Sequence, residues 1–469
     1  MNTLLESKPT VTAPLDDRFR PAARATRAFD KAVAAGGAGV PAAIGLEQAD
    51  GTLSVLRTKL LPAGHPNAAD NARHVERLVK FLLWQKGGWR ILFGGPREIG
   101  ESLRTAYAAG GARAFDADLM GGVYEKPFTV DVMNESDVPA PREKSMPLGR
   151  HLDGCRIGFD LGASDRKVSA VRDGEPVWSE EVAWNPKTAS DPAFHYHEIM
   201  SALHRAAARL PRVDAIGGSS AGIIIQNRVR VASLFRGVPK DAFEKRVKPL
   251  FLDIRKAWGI PMEVANDGEV TALAGSMSLG ANEILGIAMG SSEAGGYVNR
   301  EGNITTWLNE LAFAPVDYAP DAPLDEWSGD RGCGVQYFSQ EAVVRLAPAA
   351  GIALEAKATP AEKLKQIQDL FAKGDPRPRP IYETIGVYFG YGVAHYATFY
   401  PLSCILILGR VTSGEGGAII MAKAEEVLKR EFPDVAARVK LQLPDEKSRR
   451  VGQSIAAASL PVIAKEKSR

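Results

Sequence analysis

An α/β fold is predicted for this 469-residue chain, because short apolar runs ending in Gly/Ser turns alternate with helical patterns along its length. Two stretches carry that reading. Ile157, Phe159 and Leu161 lead into Gly162-Ala163-Ser164-Asp165, and a second apolar run follows to Val171, which is a strand, a tight polar turn and a strand. Val264-Ala265-Asn266-Asp267 is a strand end that passes directly into the helical pattern Val270–Gly275.

The elements follow in order. Residues 1–150 are expected to form a small α/β module. Strands over Ala42–Gln48 and Thr52–Leu60 are joined by the Asp50-Gly51 turn signal. From Asn67 to Lys86, Val75, Leu78, Val79, Leu82 and Leu83 recur at spacings of three and four, which predicts an amphipathic helix stopped at Gly87-Gly88. Trp89–Phe93 reads as a strand, Glu98–Ala108 as a helix and Phe128–Met133 as a strand. Between the first two, Gly94-Gly95-Pro96 suits either an anion at a helix start or a plain turn with proline at the first helical position. The Pro- and charge-rich run Asn134–Pro147 is expected to hold a domain boundary.

Beyond the boundary, four turns attract chemical interest. In the first, Gly162 and Ala163 leave backbone uncovered, Ser164 adds a hydroxyl and Lys167 adds a charge. Such a hairpin suits phosphate, and Asp160 beside it is tolerated when a divalent cation lies between them; Gly-rich strand ends also occur at ordinary hairpins. The strand from Asp214 opens into the small residues Gly217–Gly222, with Ser220 a substrate-binding candidate. Ile284–Met289 meets Gly290-Ser291-Ser292, and Leu406–Leu408 meets a run containing Gly409, Gly414, Gly416 and Gly417. Phe389–Ala397 reads as a buried helix before that last turn. His195 and His197, two apart, point to different faces of a helix and suggest a polar helix start rather than a metal site.

Composition fits an enzyme of two or three domains, with 45% hydrophobic and 24% charged residues. A net charge of +2 gives no strong attraction to nucleic acid or membrane. Three cysteines, Cys155, Cys333 and Cys404, argue against a disulfide framework and for a reducing compartment. The amino terminus lacks a signal-peptide core, the Arg-rich run Arg18–Arg27 is flanked by acids unlike a transit segment, and no run reaches membrane-spanning length. A cytoplasmic location is expected.

The order of these turns resembles the actin-like ATPase and sugar kinase superfamily, and within it the ROK group (repressors, open reading frames and kinases) and hexokinases. Asp160-Leu-Gly-Ala-Ser-Asp-Arg-Lys-Val168 is similar to the hexokinase-type D-L-G-G-T-N-F-R-V, Asn266-Asp267 to N-D-A-N, and Asn309-Glu-Leu-Ala-Phe-Ala-Pro-Val316 to G-E-I-G-H-x-P-V. The likeness covers residues 151–469. It implies a two-lobed actin-like (ribonuclease H-like) fold: a first lobe over 151–265 with the first phosphate loop, and a second over 266–469 whose last helix returns to the first. It also implies ATP and Mg²⁺ as cofactors, a sugar-like acceptor, and a homodimer. Asp267 would be the catalytic base, whereas composition alone leaves helix capping open for it. Asn266 and Glu310 would contact the acceptor, and Asp160 would hold Mg²⁺ through water. Gly162, Ala163, Ser164, Lys167, Gly290, Ser291 and Ser292 would serve the phosphates. Gly409, Gly414, Gly416 and Gly417 would let backbone approach the nucleotide, or are turn chemistry alone.

The chain departs from the ROK pattern at the acceptor and at the family's structural zinc. Phe313 stands where the pattern has His, and Val335 where it has a second Glu. Of C-x-C-G-x-x-G-C only Cys333 survives, with Glu326 and Ser328 at other cysteine positions, so structural zinc is not expected. Two functional readings follow. One is an ATP-dependent sugar kinase, and the other a non-catalytic sugar- or nucleotide-sensing regulator, with an ATPase or phosphatase on the same fold a third. Retention of Asp160, Asn266, Asp267 and Glu310 favours the kinase. Residues 1–150 carry strands and Gly-Gly steps in place of a basic recognition helix, which speaks against DNA binding.

Overall fold

The computed structural model describes residues 3–37, 39–143, 148–443 and 446–463. The architecture is α/β, built as two compact units interleaved in sequence. One takes Met1–Lys144, Ile287–Gly295 and Trp307–Leu443; the other takes Ser145–Gly286, Gly296–Thr306 and Pro444–Arg469.

In the first unit, β1 (Val40–Glu47), β2 (Leu53–Leu60), β3 (Arg90–Gly94) and β4 (Thr129–Met133) form a sheet ordered β2-β1-β3-β4. The β1–β2 pair is an antiparallel hairpin around Ala49–Gly51, as Asp50-Gly51 predicts. A helix spans Asp70–Lys86 and stops at Gly87 as predicted, but it is buried on more than the one predicted face. Val75, Leu78 and Leu82 are buried, and so are His74, Arg77 and Lys80 on its other faces. Two helices without a clear sequence signal, Ala22–Ala35 and Ala114–Tyr124, complete this part. The Gly94-Gly95-Pro96 turn is closed internally, since a side chain at Gly94 would strike Val138 and Glu135. Further along, the Arg379–Phe399 helix is buried along most of its length, His395 included.

The second unit is built on β5 (Cys155–Leu161), β6 (Asp165–Arg172), β7 (Glu175–Ala183), β8 (Ala215–Ser220), the short pair β9 (Ile223–Ile225) and β10 (Arg228–Val231), and β11 (Met262–Asn266). Its main sheet is ordered β11-β8-β5-β6-β7, with β5, β8 and β11 parallel and β6 and β7 antiparallel. Ile157, Phe159 and Ile216 pack with Ile199, Leu203, Phe251 and Ile254 on one face. Strand side chains alternate, so Gly158 and Gly217 look to the other face, where the backbone of the Glu446–Ala458 helix lies against them. His195 is buried on the Pro192–Ala207 helix with Nε2 3.0 Å from the Pro186 carbonyl oxygen.

The last sheet, β13-β12-β14-β15, comprises β12 (Ile284–Met289), β13 (Glu293–Val298), β14 (Cys404–Leu408) and β15 (Lys440–Gln442). Among the described residues no helix is long and apolar enough to cross a membrane.

Candidate active site

Register places the acidic residues of the second unit together. Leu161 pairs with Ser220 and Ser220 with Asn266, so β5, β8 and β11 end level. Ligands of open parallel sheets bind at such carboxyl ends. Asp160 is 5% exposed; its Oδ1 accepts from Ser219 Oγ at 2.6 Å and from Gln453 Nε2 at 3.2 Å. Gln453 Nε2 also donates to Ser219 Oγ at 3.1 Å and lies 3.5 Å from the Asp267 carbonyl oxygen. Burial pushes the Asp160 carboxyl up to about 6, against the Ser219 hydrogen bond, and the Asp267 charge adds to the rise.

Asp267 opens the Asp267–Leu279 helix, but the cap itself is Asn266, whose Oδ1 accepts from Gly268 N–H at 2.7 Å. Asn266 Nδ2 donates to the Gly222 carbonyl at 2.8 Å. Asp267 Oδ1 shares the Gly268 N–H at 3.0 Å, and burial raises its carboxyl above the ordinary range. Ser220 Oγ is buried without a hydrogen-bond partner among the described residues. The β5–β6 turn carries Gly162, Ala163 and Ser164. It is pinned by Trp184, whose indole N–H donates to the Gly162 carbonyl at 2.9 Å and whose backbone N–H donates to the Ser164 carbonyl at 3.1 Å. Lys167 Nζ sits 3.3 Å from Asp165 Oδ1 and 3.8 Å from Asp160 Oδ2, so its charge is partly neutralised within the hairpin.

The first unit holds the remaining candidates. Ser291 and Ser292 are exposed at the β12–β13 turn, where Gly290 N–H donates to the Ser292 carbonyl at 3.0 Å and Gln340 N–H to the Gly290 carbonyl at 2.9 Å. Three of the four glycines near the last turn are required by the chain's own packing. A Cβ at Gly409 would lie 2.3 Å from the Met289 carbonyl oxygen, at Gly416 2.5 Å from the Tyr382 ring, and at Gly417 2.3 Å from the Thr412 carbonyl oxygen. Gly414 alone of the four faces open space, at φ +67°, capping the Glu415–Glu431 helix. Glu310 N–H donates to the Trp84 carbonyl at 3.0 Å. Phe313 is buried against Trp84, Phe115 and Trp327, with ring centroids 4.3, 5.7 and 5.6 Å away.

With this geometry in place, a protein-family model described as the ROK family matches residues 156–458. The chain belongs to the ROK family. A ROK hexokinase from Thermus thermophilus superposes with a TM-score of 0.52 at 19% identity, covering 66% of this chain and 98% of that one. A ROK transcriptional regulator described as a homolog of the E. coli MLC protein superposes with a TM-score of 0.51 at 20% identity, over 66% of this chain and 78% of that one. A search of curated protein sequences gives no significant match. The ROK fold is thus shared by an enzyme and a regulator at equal likeness, and only the residues of the site can separate the two readings.

Gln453, Ser219 and Trp184 were not among the site residues that the sequence suggested. Gln453 lies 293 residues from Asp160, and no local pattern marks it. Ser219 was within reach: aligning the ends of two adjacent parallel strands pairs it, and not Ser220, with Asp160.

Glu293, directly after the Gly290–Ser292 turn, is another unpredicted acid. It is 2% exposed; its Oε1 accepts from Tyr396 O–H at 2.8 Å, and burial pushes it up to about 8. An acid protonated in the folded state but ionised in the unfolded chain costs stability as pH rises from about 4.5 to about 8. Glu293→Gln is therefore expected to match the parent near pH 4 and to exceed it at pH 8 by a few kcal/mol, on the order of 1.4 kcal/mol per pKa unit. Thermal unfolding at the two pH values measures the difference.

Proposed function

We propose that this ROK protein is an ATP-dependent kinase that transfers the γ-phosphoryl group to a hydroxyl of a sugar or sugar derivative. The observation that carries the reading is the Asp160–Gln453–Asp267 connection at the carboxyl edge of β5, β8 and β11. One carboxylate sits beside a phosphate-type hairpin and a second sits at a helix start, each in surroundings that raise its pKa. Phosphoryl transfer needs these two roles, a metal holder and a base that accepts the hydroxyl proton.

In this proposal Asp267 takes the acceptor proton, and Asn266, Ser220 and Glu310 contact the acceptor. Ser220 offers a buried hydroxyl that has no hydrogen-bond partner among the described residues. The backbone of Gly162 and Ala163, with Ser164 and Lys167, faces phosphate, as do Gly290, Ser291 and Ser292. Gly414 leaves room at a helix start for the nucleotide, whereas Gly409, Gly416 and Gly417 serve the turn itself. Mg²⁺ suits Asp160: Oδ1 is occupied by Ser219 and Gln453, and among the described residues Oδ2 meets Lys167 alone, at 3.8 Å, which leaves it for a metal-bound water. When bound, Mg²⁺ would neutralise charge on the phosphates.

The regulator reading draws on the solved ROK regulator of equal structural likeness. Against it stands the retained acid pair, since a sensor does not need a proton-accepting carboxylate at the position of the base. A pH profile separates the two. Asp160 must be ionised to hold a cation, and its pKa is raised to about 6, so kcat/KM is expected to fall as pH drops through about 6 and to be flat between 7 and 8. Acceptor-dependent ADP release measured from pH 5 to 8 at subsaturating Mg²⁺ tests this, and a profile flat down to pH 5 would contradict it.

A further inference from the structure

The loop Pro323–Cys333, which contains the positions where the ROK pattern carries its structural zinc ligands, is organised around a carboxylate and not around a thiol. Asp330 is 6% exposed. It is met by Arg77 Nη1 at 3.0 Å, Lys80 Nζ at 3.1 Å and Arg113 Nη1 at 2.7 Å. Two more acids complete the set, Asp116 buried and Glu76 half-buried. Asp116 accepts from Lys80 Nζ at 3.0 Å and from the Trp84 indole at 3.0 Å, and Glu76 accepts from Arg77 Nε at 2.7 Å and Arg113 Nε at 2.5 Å. Three cations therefore face three carboxylates, with Arg77, Lys80, Asp116 and Asp330 buried and Glu76 and Arg113 half-buried.

The residues at the metal positions do not fit a metal. Cys333 Sγ lies 3.9 Å from Asp330 Oδ2 and 4.0 Å from Ser328 Oγ. Ser328 Oγ is itself committed to Asp325 Oδ2 at 2.5 Å. Phe313 supplies an apolar ring in place of an imidazole, stacked among Trp84, Phe115 and Trp327. A lone thiol whose nearest carboxylate, Asp330, is already met by Arg77, Lys80 and Arg113 offers no tetrahedral donor set to a divalent cation.

We infer that Arg77, Lys80 and Arg113 take the place of the structural metal, holding the Pro323–Cys333 loop by closing on Asp330. Burial alone would raise the Asp330 carboxyl, but the three cations reverse that and hold it well below the ordinary range. The loop is fastened from within the first 116 residues, by the same Asp70–Lys86 helix whose Trp84 and Gln85 carbonyls accept from the backbone N–H groups of Glu310 and Asn309. One helix thus both anchors the former metal loop and sets the backbone of Glu310. The consequence for Glu310 rests on its proposed acceptor role, but the anchoring does not, because metal content and stability are read without any assumption about the reaction.

The test uses the full chain purified from zinc-supplemented culture. Elemental analysis is expected to find well under one zinc per chain, and a strong chelator is expected to leave the unfolding temperature unchanged. Asp330→Asn leaves three cations, two of them buried, short of a partner and is expected to lower that temperature by more than ~5 °C or to prevent accumulation of folded protein. Asp330→Asn combined with Lys80→Met is expected to lose less than the sum of the two single changes, because they remove partners of one ion pair. One zinc per chain whose removal lowers the unfolding temperature would overturn the inference. So would an Asp330→Asn protein as stable as its parent.

Discussion

Asp267→Asn is expected to lower acceptor-dependent ADP release on the order of a hundredfold or more while leaving the fold and nucleotide binding in place. The asparagine keeps an oxygen for the Gly268 N–H, and Asn266 continues to cap the helix through its own bond to that group. What disappears is the group that accepts a proton. Burial already raises the Asp267 carboxyl, which makes it a better base near neutral pH than an exposed aspartate. Nucleotide binding followed by fluorescence, with circular dichroism for the fold, separates lost chemistry from lost structure. An unchanged rate with both controls intact would mean that the base is elsewhere.

Gly217→Ala is expected to be strongly destabilising. The new Cβ would fall 1.7 Å from the Ala457 carbonyl oxygen, and Gly158, its partner in register on β5, stands equally close to the Ser454 carbonyl oxygen. The two glycines let the Glu446–Ala458 helix rest its backbone directly on the sheet. A carbonyl cannot yield as the tip of a side chain can, so the helix must lift. Overpacking of this kind costs about 3 kcal/mol or more. Function should suffer with it, because Gln453 rides on that helix and reaches Asp160, Ser219 and Asp267 from it. Gly452→Ala is the internal control. Its Cβ would meet Ala274 Cβ at an ordinary 3.9 Å, and alanine in a helix interior is worth up to about 1 kcal/mol over glycine. Chemical denaturation of the two variants should move them in opposite directions.

Local signals were legible wherever a turn or a strand end wrote itself in small residues. Gly162-Ala163-Ser164 between two alternating runs marked the β5–β6 hairpin, and Asn266-Asp267 marked the passage from β11 into its helix. The ROK family was legible for the same reason, since its signature lies in such turns. Properties set by partners far along the chain were not legible. Arg77 and Lys80 look like the solvated face of an amphipathic helix until Asp330, 253 residues from Arg77, brings them inside. The Ala114–Tyr124 helix contains Gly121-Gly122 and has a weak propensity of its own, yet its Asp116 is bound by Lys80 and Trp84. The linear reading placed a boundary within Asn134–Pro147, and residues 144–147 of that run lie outside the described residues. The compact units alternate along the chain, and Met1–Lys144 clusters with Trp307–Leu443, an arrangement that no composition shift announces.

This ROK chain departs from the sequence pattern of its family at Phe313 and Val335. Phe313 has exchanged a polar contact for packing against three aromatic rings, so Glu310 is left as the polar acceptor candidate of its element.

The most direct measurement is ADP production from ATP and Mg²⁺ across hexoses, amino and N-acyl sugars, deoxy sugars, polyols and sugar acids, with Asp267→Asn run beside the parent. Turnover that depends on one class of acceptor and vanishes in the variant is the predicted result. Sugar or nucleotide bound with no turnover from any acceptor would contradict the kinase reading and assign the chain to the regulators of its family.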